Sequence, residues 1–391
     1  MAAELDTMEP GNIGAERGDI GGGGDTGSGA QDPLIGVKAL TGVYVGINRK
    51  SWARKRIRGD DGRSNVYHVM SRTCGGEIFL DETEREALVL VMRKMARFCG
   101  IKILTYCIMG NHFHALVRVP DKTAWLSQFE GEGGEDRLLA HLRTFYSRDF
   151  MRALEMEIAA LRAAGLEVAV SEKLAPFKRR FCDLGIWMKE MKERYSRWYN
   201  KKHERSGTLW MGRFKSVLVE GRRNDRDRLD ALRTMALYID LNPVRAGIVD
   251  EPEKYRWSGY GEAFAGAARA QSGICQVVGS SSWARCGTAY RVWLYSVGRA
   301  EVDGDGSIVG PGINSDRVAQ VMREFGQIRA GERLRSRVGS FTDGAVVGSK
   351  EFVEGVFEQM KDDYRRTYRG ASPLRTRDGL LHVLSGVRQS E

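Results

Sequence analysis

Several features are missing from this 391-residue chain, and each absence narrows what it can be. No stretch approaches the roughly 20 consecutive apolar residues of a membrane-spanning helix, so no membrane partner is expected. The first residues, MAAELDTMEPGN, are acidic and carry no apolar run behind a basic start. That is not a secretory signal, and a cytoplasmic location is the expectation. The six cysteines (Cys74, Cys99, Cys107, Cys182, Cys275 and Cys286) include no CxxC pair. A zinc ribbon is therefore not expected, and scattered reduced thiols are. No internal repeat is visible.

What is present is positive charge, unevenly placed. The net charge is +10, but residues 1–37 hold seven acids and one base, so they carry −6 and the remainder +16. A body this basic favours a polyanion, because each neutralised phosphate releases counterions. A solvated basic surface is the plainer alternative, and charge alone does not separate the two. Hydrophobic residues make up 42% of the chain, enough for a packed core. Residues 1–36, rich in Gly, Asp and Ala, have little to bury and are expected to be disordered. Structure is expected from Val37.

The periodicity predicts an α+β fold. Ser64–Arg72 (SNVYHVMSR) alternates as a strand. Asp81 opens a helix with Glu84 three residues on, and Leu88, Val91, Met92, Met95 and Cys99 fall on one face. Gly100 ends that helix. Ile101–Ile108 and His112–Val119 are strands joined by the turn Met109-Gly110-Asn111, and Pro120 stops the second. Strand, helix, strand, turn, strand suits one antiparallel sheet with helices on one face. Residues 121–190 look like a helical insertion, including Leu154–Ala164. Trp187–His203 reads as a basic helix and Phe214–Glu220 as a strand. Asp225–Leu241 reads as a helix stopped by Pro243. The pattern weakens after Tyr260, and residues 261–391 are expected to be a mostly helical extension, with helices over Asp316–Phe325 and Ser349–Tyr368.

The sharpest chemical signal is His112-Phe113-His114. Alternate side chains of a strand share a face, so both imidazoles point one way and suit a divalent ion. Two histidines meeting by chance is the bland explanation. His68, His141, His203 and His382 have no such neighbour and read as ordinary surface or core residues. Tyr238 and Asn242 lie four apart on one helix and share a face. If that face meets the histidines, Asn242 completes the shell of a hard ion while Tyr238 faces a bound phosphate. The competing view makes Tyr238 a core aromatic and Asn242 a cap. Tyr199 with His203 has the same spacing and is the runner-up nucleophile. Helix context favours Tyr238: Leu232, Met235, Ala236, Leu237, Ile239 and Leu241 must pack, whereas Lys201, Lys202 and Arg205 place Tyr199 on a solvated, DNA-binding face.

Between Phe177 and Arg223, bases interleave with Trp198, Tyr199, Trp210 and Phe214, which suits nucleic acid. Candidate DNA contacts are Arg72, Arg197, Lys201, Lys202, Trp210, Arg213, Lys215 and Arg245.

Four blocks in order, VYHVMSRTCGGEIF, YCIMGNHFHALVRVP, YNKKHERSGTLWMGRFKS and YIDLNPVRAGIVDEPEKYRWSGY, resemble the HUH single-tyrosine transposases, in the branch of REP-associated tyrosine transposases. They cover residues 64–260 apart from the insertion. The tail stretch FTDGAVVGSKEFVE also resembles longer members. The resemblance implies a ferredoxin-like core within a domain of residues 37–260 and Mg²⁺ or Mn²⁺ held by His112 and His114. It puts the family tyrosine at Tyr238 and the polar ligand at Asn242. It implies recognition of hairpin DNA and cleavage of an adjacent single strand through a 5′-phosphotyrosine. Gly110 departs from the proline common before the Asn-His pair, and the insertion is longer than expected. A non-catalytic hairpin-binding regulator and a hydrolase using water remain alternatives. Related enzymes include homodimers that complete a site across two chains, so a homodimer stays open.

Overall fold

The computed structural model describes residues 62–219, 231–300 and 310–328, and the backbone of 344–348, 364–366, 372–376, 379–385 and 387–389. The expected disorder of 1–36 and the expected start at Val37 lie outside the described residues.

The chain is α+β. Strand β1 (Asn65–Arg72) is followed by helix α1 (Glu82–Phe98) and by strands β2 (Lys102–Ile108) and β3 (His112–Val119). Asp81 caps α1, its carboxylate accepting from the Thr83 and Glu84 amides at 2.8 and 3.1 Å. Leu88, Met92, Met95 and Cys99 are all buried, as the single apolar face predicts. Gly100 ends the helix at φ +73°, with the Trp125 ring 2.5 Å from where a Cβ would stand. Glycine alone satisfies both the left-handed backbone and that close approach.

Helices α2 (Lys122–Leu126), α3 (Gly134–Arg143), α4 (Arg148–Ala163) and α5 (Glu167–Arg180) follow β3, so the expected insertion is helical. Helix α6 (Leu184–Lys202) is capped by Asp183, which accepts from the Ile186 amide at 2.9 Å. Strand β4 (Lys215–Val219) pairs antiparallel with β1, Val66 opposite Val219 and Met70 opposite Lys215. The four strands form one antiparallel sheet in the order β2-β3-β1-β4.

Helix α7 (Ala231–Asp240) is the described part of the helix expected over 225–241; residues 225–230, like Glu220 of the expected strand, lie outside the described residues. Helix α7 ends at Asp240, before Pro243, as expected. Pro243 occupies the first turn of a short helix, α8 (Asn242–Arg245), where its missing N–H costs nothing. Then come α9 (Gly259–Phe264), α10 (Ala268–Val278), α11 (Trp283–Val297) and α12 (Ser315–Arg323). These are the helices expected of the carboxy-terminal extension, α12 meeting the one expected over Asp316–Phe325. Beyond residue 328 the described residues differ. The described elements are strands: β5 (Gly344–Gly348), β6 (Tyr364–Arg366), β7 (Ser372–Thr376), β8 (Gly379–Ser385) and β9 (Val387–Gln389), ordered β5-β8-β7 and β6-β9. Of the helix expected over 349–368, Tyr364–Arg366 is strand and the rest lies outside the described residues. Leu380, Leu381, Val383 and Leu384 supply the short apolar run that strands favour.

By its internal contacts the chain divides into two compact units, Met1–Glu77, Ala87–Lys102 and Val117–Met235 in one, Ile78–Glu86, Ile103–Leu116 and Ala236–Glu391 in the other. The insertion and the basic segment belong to the first. In that unit Phe98 stacks on Phe145 at 4.1 Å, and the buried Arg180 pairs with Glu190 and Tyr146. The second unit holds both histidines, Tyr238 and the carboxy-terminal helices. No described helix is long and apolar enough to cross a membrane.

Candidate active site

The histidine pair is set by a tight hairpin between β2 and β3. The Met109 amide donates to the His112 carbonyl at 2.8 Å, closing the turn, and the Leu80 amide donates to the Gly110 carbonyl at 2.9 Å. At Gly110 a Cβ would stand 3.1 Å from the exposed Ile78 side chain, which has room to give, so the structure does not require glycine there. Residues 112 and 114 share one face of β3, and Phe113 between them is buried on the other. The two imidazole centroids are 5.0 Å apart, with planes at 86°.

His112 is half-buried and its Nδ1 lies 2.6 Å from the Asn111 side-chain oxygen. An amide oxygen only accepts, so Nδ1 carries the proton and the ring's lone pair is on Nε2. That is how ligating histidines are oriented. His114 is buried. Its ring meets Tyr238 edge to face, centroids 5.8 Å apart. Tyr238 is half-buried on α7, and the Arg245 guanidinium lies 5.5 Å from its ring centre. The Asn242 amide nitrogen donates to the Tyr238 carbonyl at 3.2 Å, which ties α8 to the end of α7 and fixes the direction of the amide oxygen. Among the described residues no three of His, Cys, Asp or Glu gather as a metal cluster. The donor set expected here, two imidazoles and an amide, is of another kind. With Nδ1 of His112 engaged by Asn111, its Nε2 is left to face a ligand, and the two rings lie 5.0 Å apart on one face, so these residues fit a divalent ion.

No protein-family model matches the chain, and no curated protein does. One similar solved structure is a REP-associated tyrosine transposase bound to a REP hairpin, with 15% identity and a TM-score of 0.32 over 54% of this chain and 86% of that one. A likeness of that size decides neither fold nor function.

Tyr199 is not on a solvated face as expected. It is buried and stacks on His203 at 4.3 Å. Trp210 and Trp198 are buried too, so neither offers a ring to a base. The Trp210 ring lies 5.8 Å from Tyr195, and its Nε1 donates to the Lys192 carbonyl at 3.3 Å. The reason is the stripe of Trp187, Met188, Met191, Tyr195, Trp198 and Tyr199 along α6, which outweighs the bases between them. The cations behave differently: Arg72, Arg197, Lys201, Lys202, Arg213, Lys215 and Arg245 are all exposed. The Met211 amide donates to the Arg72 carbonyl at 3.0 Å, so the Trp210–Arg213 segment runs past the end of β1.

One residue that sequence reasoning missed is Asp240, fully buried two positions after Tyr238. It accepts from the Thr105 hydroxyl at 2.9 Å, the Tyr290 hydroxyl at 2.6 Å and the Tyr260 amide at 3.0 Å. Burial pushes its carboxyl up to about 7, although those three donors pull the other way. An acid inside the apolar run Leu237-Tyr238-Ile239-Asp240-Leu241 was the visible signal.

Proposed function

We propose that this chain is a metal-dependent enzyme that nicks single-stranded DNA beside a hairpin and rejoins it, in the manner of the single-tyrosine transposases its four blocks resemble. The observation that carries the proposal is the meeting of Tyr238 with His114, and of His114 with His112, across an α-helix and a β-strand of one compact unit. The path β1-α1-β2-β3-helix-β4 with the strand order β2-β3-β1-β4 supports a ferredoxin-like core.

In the proposed reaction the Tyr238 oxygen attacks the scissile phosphorus. The phenol loses its proton, a P–O bond to tyrosine forms, and the bond to the 3′ oxygen breaks, leaving a 5′-phosphotyrosine and a protonated 3′-OH. A phenolate leaves readily, so a second 3′-OH reverses the step and no ATP is consumed. His112 and His114, with Asn242, would hold Mg²⁺ or Mn²⁺, which when bound would neutralise charge at the phosphoryl oxygen. The protein's own contribution is rigidity, since attack needs a fixed approach. The exposed arginines and lysines serve the DNA backbone.

The deciding experiment incubates wild type, Tyr238→Phe and Tyr199→Phe with labelled single-stranded DNA next to a hairpin and Mn²⁺. Wild type and Tyr199→Phe form an adduct that survives denaturation. Tyr238→Phe binds DNA and forms none. Cleavage without any adduct points to water as the nucleophile, and binding without cleavage to a regulator; either result ends the proposal.

A further inference from the structure

Tyr238 and Asp240 are two residues apart, which on an α-helix is a rotation of about 200°. One side of α7 therefore presents the tyrosine to His114, and the opposite side carries a carboxylate into the interior. The three donors to that carboxylate come from three places. Thr105 is on β2, the strand joined to the histidine strand by the Met109–Asn111 turn. Tyr260 donates from the start of α9. Tyr290 is in the middle of α11. All belong to the same unit as the histidines. The approach is close: a Cβ on Gly259 would stand 2.1 Å from the Thr105 hydroxyl.

A carboxylate at this depth is costly, and an apolar side chain of similar volume would pack there without that cost. Apolar packing, however, tolerates small rotations and slides of a helix. Three directional bonds to one carboxylate do not.

Resting on the function proposed above, we infer that Asp240 is a positioning residue that locks the tyrosine helix to the strand beside the histidines, and that α11, through Tyr290, is thereby a working part of the nicking unit rather than an appendage. The tyrosine is presented from the front of α7 while the helix is pinned from behind. The pin reaches β2 directly, and β2 carries the turn that sets His112 and His114.

The test uses the full chain with three substitutions, Tyr290→Phe, Asp240→Ala and Asp240→Asn. Tyr290→Phe removes one hydroxyl and keeps the ring beside Tyr260, at 5.7 Å, so it answers even if Asp240→Ala does not fold. Two readouts are taken on folded protein: nicking kinetics with hairpin-flanked DNA, and amide hydrogen exchange over residues 236–245 without DNA or metal. Tyr290→Phe and Asp240→Ala are expected to lower kcat by about 10- to 100-fold with KM and hairpin affinity unchanged. Exchange over 236–245 should speed up by about tenfold while β3 is unaffected. Asp240→Asn, which keeps an acceptor for Thr105 and Tyr260, should recover most of the loss in both. Unchanged exchange in Tyr290→Phe overturns the inference whatever the kinetics. Faster exchange with wild-type kcat overturns the positioning role. Faster exchange in a protein whose wild type forms no tyrosine adduct leaves the brace standing and ends the proposed function instead.

Discussion

Two buried groups titrate in the same pH window with opposite sign, and replacing either should unmask the other. His68 is buried on β1, opposite Val217 of β4, and burial pushes its imidazole down from 6.5 to about 4. The unfolded chain takes up a proton near its ordinary value while the fold holds the ring neutral. His68's stabilisation is therefore complete above 6.5 and is lost as the pH falls toward 4. A shift of about 2.5 units corresponds to roughly 3 kcal/mol. Asp240 runs the other way, raised from 3.8 to about 7 by burial. Its stabilisation is complete below 3.8 and is lost as the pH rises through 7, by roughly 4 kcal/mol over about three units. Both figures are upper bounds, because local opening lets a buried group titrate for less. Between pH 4.5 and 7 the two slopes largely offset in the wild type. The His68→Gln variant should therefore lose stability relative to wild type as the pH rises, and Asp240→Asn should gain. Urea denaturation followed by tryptophan fluorescence at pH 4.5, 5.5, 6.5 and 7.5 measures both differences. A gap between His68→Gln and wild type that stays constant across that range would refute the reasoning for His68, and a constant gap for Asp240→Asn would refute it for Asp240.

Gly259→Ala places a methyl group 2.1 Å from the Thr105 hydroxyl and 2.9 Å from its Cα, so α9 must shift. The expected cost is about 1–3 kcal/mol, read as a lower denaturation midpoint with an unchanged slope. His112→Ala should abolish Mn²⁺-dependent cleavage and leave hairpin affinity within about twofold, since phosphate-binding cations elsewhere carry the affinity; anisotropy and gel cleavage measure the two separately, and parallel loss of both argues against the metal assignment. Replacing Arg213 and Lys215 together should lower the slope of log K against log salt by about 1.4–1.8 if both meet phosphates. An unchanged slope would assign them to structure.

The elements with strong local period were legible from sequence. The existence of β1 and β3, the apolar face of α1, the glycine stop at residue 100 and the turn at 109–111 are encoded by neighbours within one helical turn or one hairpin, where backbone sterics and side-chain direction decide. The alternation read for β1 is not there, its middle being buried on both faces. The shared face of His112 and His114 is of the same kind, because a strand's period of two leaves no alternative. In the 177–223 segment Arg197, Lys201, Lys202, Arg213 and Lys215 are exposed as read, whereas Arg180 is buried. The segment's tryptophans were misjudged, because the composition of a segment does not say which face of α6 turns inward.

Tertiary structure alone decided the rest. Tyr238 and Tyr199 have equal claims by spacing; helix context favoured Tyr238, but that its ring meets His114, and that Tyr199 is buried against His203, is seen only in the packing. The Asp240 brace joins residues 135 and 50 positions away in sequence, Thr105 and Tyr290, so no local pattern carries it. A buried acid within an apolar helix is unfavourable on its own terms, and only partners brought in from β2, α9 and α11 make that position tenable. Local sequence sets which way a side chain points; which groups it meets there is set by loop closures over tens of residues, and those are determined by the whole core at once.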